Sequence, residues 1–138
     1  MDIRVSVEHG SVPVTVLQII GSIDAASYTK FQQAAENAIA NGARHILIDL
    51  SEAPFVSSAG LRALHIIFNQ LRKSDPDDSL SDEDVRRGIN AGTYKSPHLK
   101  LLNLSKETRT TFELSGFDMF LETFANHEAA IASFKAAS

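Results

Sequence analysis

The chain has 138 residues, 43% of them apolar, and a formal charge of −4 from 13 basic and 17 acidic side chains. That length and apolar content suit one globular domain, residues 1–138, able to bury roughly two thirds of its unfolded surface. The lack of cysteine excludes disulfides, thiolate metal sites and cysteine nucleophiles, and agrees with a reducing cytoplasm.

Ile3, Val5 and Val7 alternate with Arg4, Ser6 and Glu8, "HGS" supplies a turn, and "VPVTVLQII" follows as a second extended run. The pair predicts an antiparallel hairpin, with Pro13 at a strand start or edge because it cannot donate to a ladder. Phe31, Ala34, Ala35, Ala38 and Ile39 recur at helical spacing, and Gly42 stops that helix. "HILIDL", 45–50, reads as a strand buried on both faces of a parallel sheet. In the helix that follows, Leu61, Leu64, Ile67, Phe68 and Leu71 fall within an arc of about 120°. Ile66 stands on the opposite, polar side with Arg62, Asn69, Gln70 and Lys73, an exposed apolar residue suited to an interface. "LKLLNL", 99–104, predicts another strand, Glu107 to Leu114 a short helix ended by Gly116, and "DMFLETF" a last strand. Asn126 then caps a final helix that turns Ala130, Ile131 and Phe134 to the core. The order β-β-α-β-α-β-α-β-α describes an α/β domain with a parallel-rich sheet.

Residues 74–97 break that rhythm. They hold six acids and three bases, leaving the rest of the chain at −1, and their length and low hydrophobicity describe an acidic inserted loop. Ser81 with Asp84 three residues on, and Val85 with Ile89 on one face, allow one or two helical turns within it. No basic stripe is present to neutralise phosphates, which argues against nucleic acid and anionic membrane surfaces as partners. Neither an apolar run of about 18 residues nor a basic-then-apolar leader occurs, so the expectation is a soluble cytoplasmic protein. The five histidines show no ligand spacing, and no metal or cofactor is assigned.

"FVSSAGLRAL", 55–64, sets two serines at a strand-to-helix junction. Either can cap the helix, a role worth about 1 kcal/mol that accounts for one serine and not the other. As a nucleophile Ser58 would sit in an elbow that needs glycine two residues to either side. Gly60 is there, but position 56 is Val; His127 follows in a permissible order, yet a lone His near the start of a terminal helix reads as a surface residue. As a phosphate acceptor Ser58 would bring roughly −2 charge to the positive end of a helix, where anions are favoured by about 0.3–1 kcal/mol.

"GSID", "ILIDLSEAPFVSSAGLRAL", "LKLLNLS" and "FELSGFDMF", in that order, resemble the STAS domain family, whose soluble members are anti-sigma factor antagonists. The resemblance spans nearly all of the chain outside 74–97. It implies a mixed sheet of about five strands, an antiparallel N-terminal hairpin followed by largely parallel strands, with about four helices. It also implies a non-enzymatic regulatory domain that binds an anti-sigma factor serine kinase and is switched off by phosphate on Ser58. Within that scheme Gly60 is the tight-turn residue, Asp24 belongs to the partner-facing surface beside the serines, and Arg62 and Ile66 extend it. Asp24 also reads as a cap for the first helix. The family's aspartate before the acceptor is replaced here by Ser57, which makes Ser57 an alternative acceptor. That departure and the insertion support a second reading, an accessory subunit of a transporter ATPase or stress-signalling assembly without a phospho-switch.

Overall fold

β1 (Asp2–His9) and β2 (Pro13–Ile20) pair antiparallel over their whole length, from Asp2 opposite Ile20 to His9 opposite Pro13. Pro13 opens its strand, where a missing N–H costs the ladder least. β3 (Ile46–Glu52), β4 (Leu99–Leu102) and β5 (Thr123–Phe124) join in parallel, and the sheet order is β1-β2-β3-β4-β5. The computed structural model describes residues 1–135. β3 lies at the centre, with Ile46, Leu47, Ile48 and Leu50 all buried, because helices cover both faces of the sheet.

The two faces are clothed unequally. Leu17, Ile19, Ile48 and Leu101 pack under α1 (Tyr28–Ala40), α2 (Ser58–Ser74) and α4 (Lys106–Ser115). The whole apolar arc of α2, Leu61, Leu64, Ile67, Phe68 and Leu71, is buried there. On the reverse face Val14, Val16, Leu47 and Leu102 meet Ala130 and Ile131 of α5 (His127–Ser133) and the adjoining Phe134. Asn126 caps α5 by accepting from the Ala129 N–H at 2.8 Å. Lys100 is buried beneath that helix. Its Nζ donates to the backbone and side-chain oxygens of Ser133, both at 3.0 Å, and stands 4.9 Å from the centre of the Phe134 ring.

Three features differ from the sequence reading. The 74–97 segment is not all loop. It contains α3 (Asp82–Ala91), a fifth helix, with Ser81 Oγ accepting from the Asp84 N–H and Gly92 closing the helix at φ +74°. Val85 buries into the main cluster, and Arg72 of α2, itself buried, donates to Asp82 Oδ1 (3.0 Å) and Leu80 O (3.1 Å). The residues leading into α3 are tied down as well: His98 Nε2 lies 3.0 Å from Asp78 Oδ2. Second, "DMFLETF" is mostly not strand. Phe117–Met119 form a 3₁₀ turn that places Phe117 and Phe120 against Phe112 and Phe68, and only Thr123–Phe124 pair with β4. Third, the cap of α1 is indirect. Asp24 Oδ1 accepts from the N–H groups of Ala26 and Ser27 and from Ser27 Oγ, closing the turn before the helix instead of its first amides.

Candidate functional site

The loop leaving β2 and the loop leaving β3 run side by side as an extension of the sheet. Ile23 forms a parallel bridge with Val56; the Ile23 N–H donates to Phe55 O (3.0 Å) and the Ser57 N–H to Ile23 O (2.8 Å). Both bridging side chains are fully buried. This pairing brings Asp24, sequence-distant, to the same end of the sheet as the serine turn.

Ser57 is the N-cap of α2: its backbone is extended (φ −80°, ψ 177°) and its Oγ accepts from the Gly60 N–H at 3.4 Å. Val56 before the cap and Leu61 in the first turn share one buried cluster, as a hydrophobic staple requires. Ser58 is the first helical residue. It is exposed, and its hydroxyl has no hydrogen-bond partner among the described residues. The two serines therefore divide the roles the sequence left open, one occupied in holding the helix end and the other free.

Gly60 is buried and has ordinary helical backbone, so it is neither a surface contact nor a turn residue in the conformational sense. Its role is proximity. A Cβ there would stand 2.7 Å from Val56 Cγ1 and 2.9 Å from Ile23 Cγ2, closer than van der Waals contact permits. The missing side chain lets the first turn of α2 sit directly on the bridge between the loops, which fixes where Ser58 emerges.

The electrostatics at this end are open to an anion. The first turn of α2 carries no acidic residue. The N–H groups of Ser58 and Ala59 have no hydrogen-bond partner among the described residues, so the partial positive charge of the helix end faces solvent with no carboxylate in its own first turn to offset it. Arg62, four residues after Ser58 and hence on the same side of the helix, is exposed. Beyond it a groove of about 600 Å³ runs between α1 and α2, lined by Tyr28, Gln32, Ala59, Arg62 and Ile66 among others. Ile66 is half-buried in this groove and not an isolated exposed residue. The sequence reading missed Tyr28 on the opposite wall and the exposed Phe55 beside the turn. An aromatic between Pro54 and a buried Val was the available signal for Phe55; nothing local marks Tyr28.

His127 does not serve this site. It lies on α5, across the sheet, with Nε2 2.6 Å from Glu8 Oε2 of β1. Among the described residues no group of three or more His, Asp or Glu is placed to hold a metal ion, and no helix is long and apolar enough to cross a membrane.

Residues 4–77 match the STAS domain model, a span of more than half the chain that includes both loops and all of α2. The chain belongs to the STAS domain family. A Bordetella bronchiseptica protein named as a candidate anti-sigma factor antagonist, BtrV, is 26% identical over 117 residues, 85% of this chain and 83% of that protein. A solved STAS-like neighbour, a candidate anti-sigma factor antagonist from Thermotoga maritima, superposes with a TM-score of 0.70 at 11% identity, covering 96% of this chain and 93% of the other. The Bacillus cell fate determinant SpoIIAA in its phosphorylated form gives 0.60 at 20% identity, covering 94% of this chain and 96% of its own. At these identities the likeness is one of fold, and α3 lies beyond residues 4–77, the span of the family model.

Proposed function

We propose that this STAS domain is a cytoplasmic anti-sigma factor antagonist that binds an anti-sigma factor serine kinase through the surface around Ser58 and is released when that kinase phosphorylates Ser58. The observation that carries the reading is the division of labour at the start of α2: the cap is Ser57, and Ser58 presents a free hydroxyl beside two open amides. The names of the relatives point the same way. In the transfer, Ser58 Oγ takes the γ-phosphoryl of ATP and gives up its proton, ADP leaves, and the catalytic groups belong to the kinase. This chain supplies the acceptor, with Asp24, Arg62 and Ile66 as contacts around it and Gly60 as the residue that sets its position.

The added dianion is accommodated locally, since helix amides and the Arg62 guanidinium favour it. It is not accommodated by a partner already seated there. Each unit of charge brought to about 5 Å from a partner carboxylate, at an effective dielectric near 20, costs on the order of 3 kcal/mol, enough for about a hundredfold loss of affinity.

The test is incubation with the cognate kinase and ATP, mapping of phosphate by mass spectrometry, and binding of Ser58→Ala and Ser58→Glu variants. Phosphate on Ser58, wild-type binding by Ser58→Ala and weak binding by Ser58→Glu are expected. Phosphate on Ser57 moves the acceptor by one residue and overturns the assignment. Ser57 in place of the family's aspartate, together with α3, favours the second reading, an accessory subunit of a transporter ATPase or stress-signalling assembly. Its mark is an unmodified Ser58 and a Ser58→Glu variant that binds its partner normally.

A further inference from the structure

We infer that β1 is a self-complementary edge through which two copies of this chain pair antiparallel about a two-fold axis at Ser6, joining their sheets into one of ten strands. The inference is independent of the proposal for Ser58, which opens α2 and is no part of β1.

β1 is the end strand of the sheet, so one row of its backbone N–H and C=O groups has no strand to bond. Soluble proteins protect such an edge with proline, charged side chains, a bulge or a covering element. β1 has no proline and no bulge, stays in unbroken register with β2, and its charges at Arg4 and Glu8 are of opposite sign and so can complement a second copy instead of repelling it. Val5 and Val7, 58% and 54% exposed, are the largest apolar exposures on any strand. They lie on the side of the sheet that carries α1 and α2, paired with Leu17 and Thr15.

A two-fold axis normal to the sheet makes residues of like parity face one another across the new ladder, because side chains directly opposite lie on the same face. With the axis at Ser6, Val5 of one copy meets Val7 of the other, twice, and Arg4 meets Glu8, twice. With the axis moved one residue back, to Val5, Asp2 would oppose Glu8 and Arg4 would oppose Ser6. Charge therefore selects the Ser6 register. The groups are free for it. Arg4 is exposed and has no hydrogen-bond or ion-pair partner among the described residues. Glu8 uses Oε2 for His127 at 2.6 Å, which leaves Oε1 for a guanidinium. Ser6, the smallest side chain of the strand, falls on the axis where a residue must face its own copy.

Sedimentation equilibrium over a range of concentrations, on the full chain and on charge-reversed variants at Arg4 and Glu8, tests the inference. Wild type is expected to show a reversible monomer–dimer equilibrium. Arg4→Glu and Glu8→Arg each place like charges opposite one another at two symmetric points and weaken the dimer by about tenfold. The double variant restores opposite charges in the same register and returns the affinity to within a few-fold of wild type. Val5→Lys abolishes pairing. Circular dichroism melts identify any variant that fails to fold; the Arg4→Glu variant, altered at a partnerless residue, keeps the test decisive. A chain that stays monomeric at millimolar concentration, a dimer indifferent to Arg4→Glu, or a double variant no better than the singles would each overturn the inference.

Discussion

Replacing Ser57 by alanine removes the oxygen that accepts from the Gly60 N–H, while replacing Ser58 removes a hydroxyl with no partner among the described residues. An N-cap serine is worth about 0.5–2 kcal/mol, and a cap bond as long as 3.4 Å places this one in the lower half, about 0.5–1 kcal/mol. Unfolding entropy of about 2.1 cal/mol/K per residue over this chain gives about 0.3 kcal/mol per degree, so Ser57→Ala should lower Tm by about 2–3 °C. Ser58→Ala, at an exposed first helical position, should shift it by no more than about 1.5 °C in either direction. Far-UV circular dichroism melts of both variants at one concentration make the comparison. A Ser58→Ala loss equal to that of Ser57→Ala would mean that Ser58 helps hold the helix end, and the separation of cap from acceptor would be wrong.

Gly60→Val forces branched carbons into a position where a Cβ already stands 2.7 Å from Val56 Cγ1; a loss of about 2–3 kcal/mol and about 7–10 °C in Tm is expected by the same melt, and an unchanged Tm would show that α2 can slide off the loops. His45 titrates below its usual range, held there first by burial and then by the neighbouring His98. Its folded value being depressed, the neutral form is the one compatible with the fold, so its contribution is intact above about pH 6.5 and is lost as pH falls through the folded value. Relative to His45→Gln, wild type should therefore lose Tm more steeply below pH 6.5 in a pH series; parallel curves would count against the assignment.

Where a residue's partners lie within its own element, the sequence displayed them. The arc of α2 is a periodicity of one helix, and the unbroken apolar run of β3 reflects burial on both faces. The serine junction was legible for the same reason, since a cap and its amide are three residues apart. What was hidden depends on other parts of the chain. Ile66 reads as exposed on a projection of α2 alone and is half-buried because α1 lies beside it. "DMFLETF" has strand-like composition, but Phe120 packs against Phe68 in the core beside the 3₁₀ turn, and only Thr123 and Phe124 pair with β4. The acidic segment lacks a core of its own, and its helix is held by Arg72 of α2, which donates to Asp82, and by Val85, which buries in the main cluster. Nor does Gly60 announce its role, which is set by Ile23, a residue thirty-seven positions away.

The ladder joining Ile23 to Phe55 and Ser57 has a thermodynamic consequence for recognition. Surface loops ordinarily surrender conformational entropy when they are gripped, and that cost is subtracted from affinity. Here the two loops have already made the sacrifice during folding. The bridge and its two hydrogen bonds tie the loop that carries Asp24 to the one that carries Ser58. Contact energy at this end of the sheet is therefore not reduced by the ordering of these two loops.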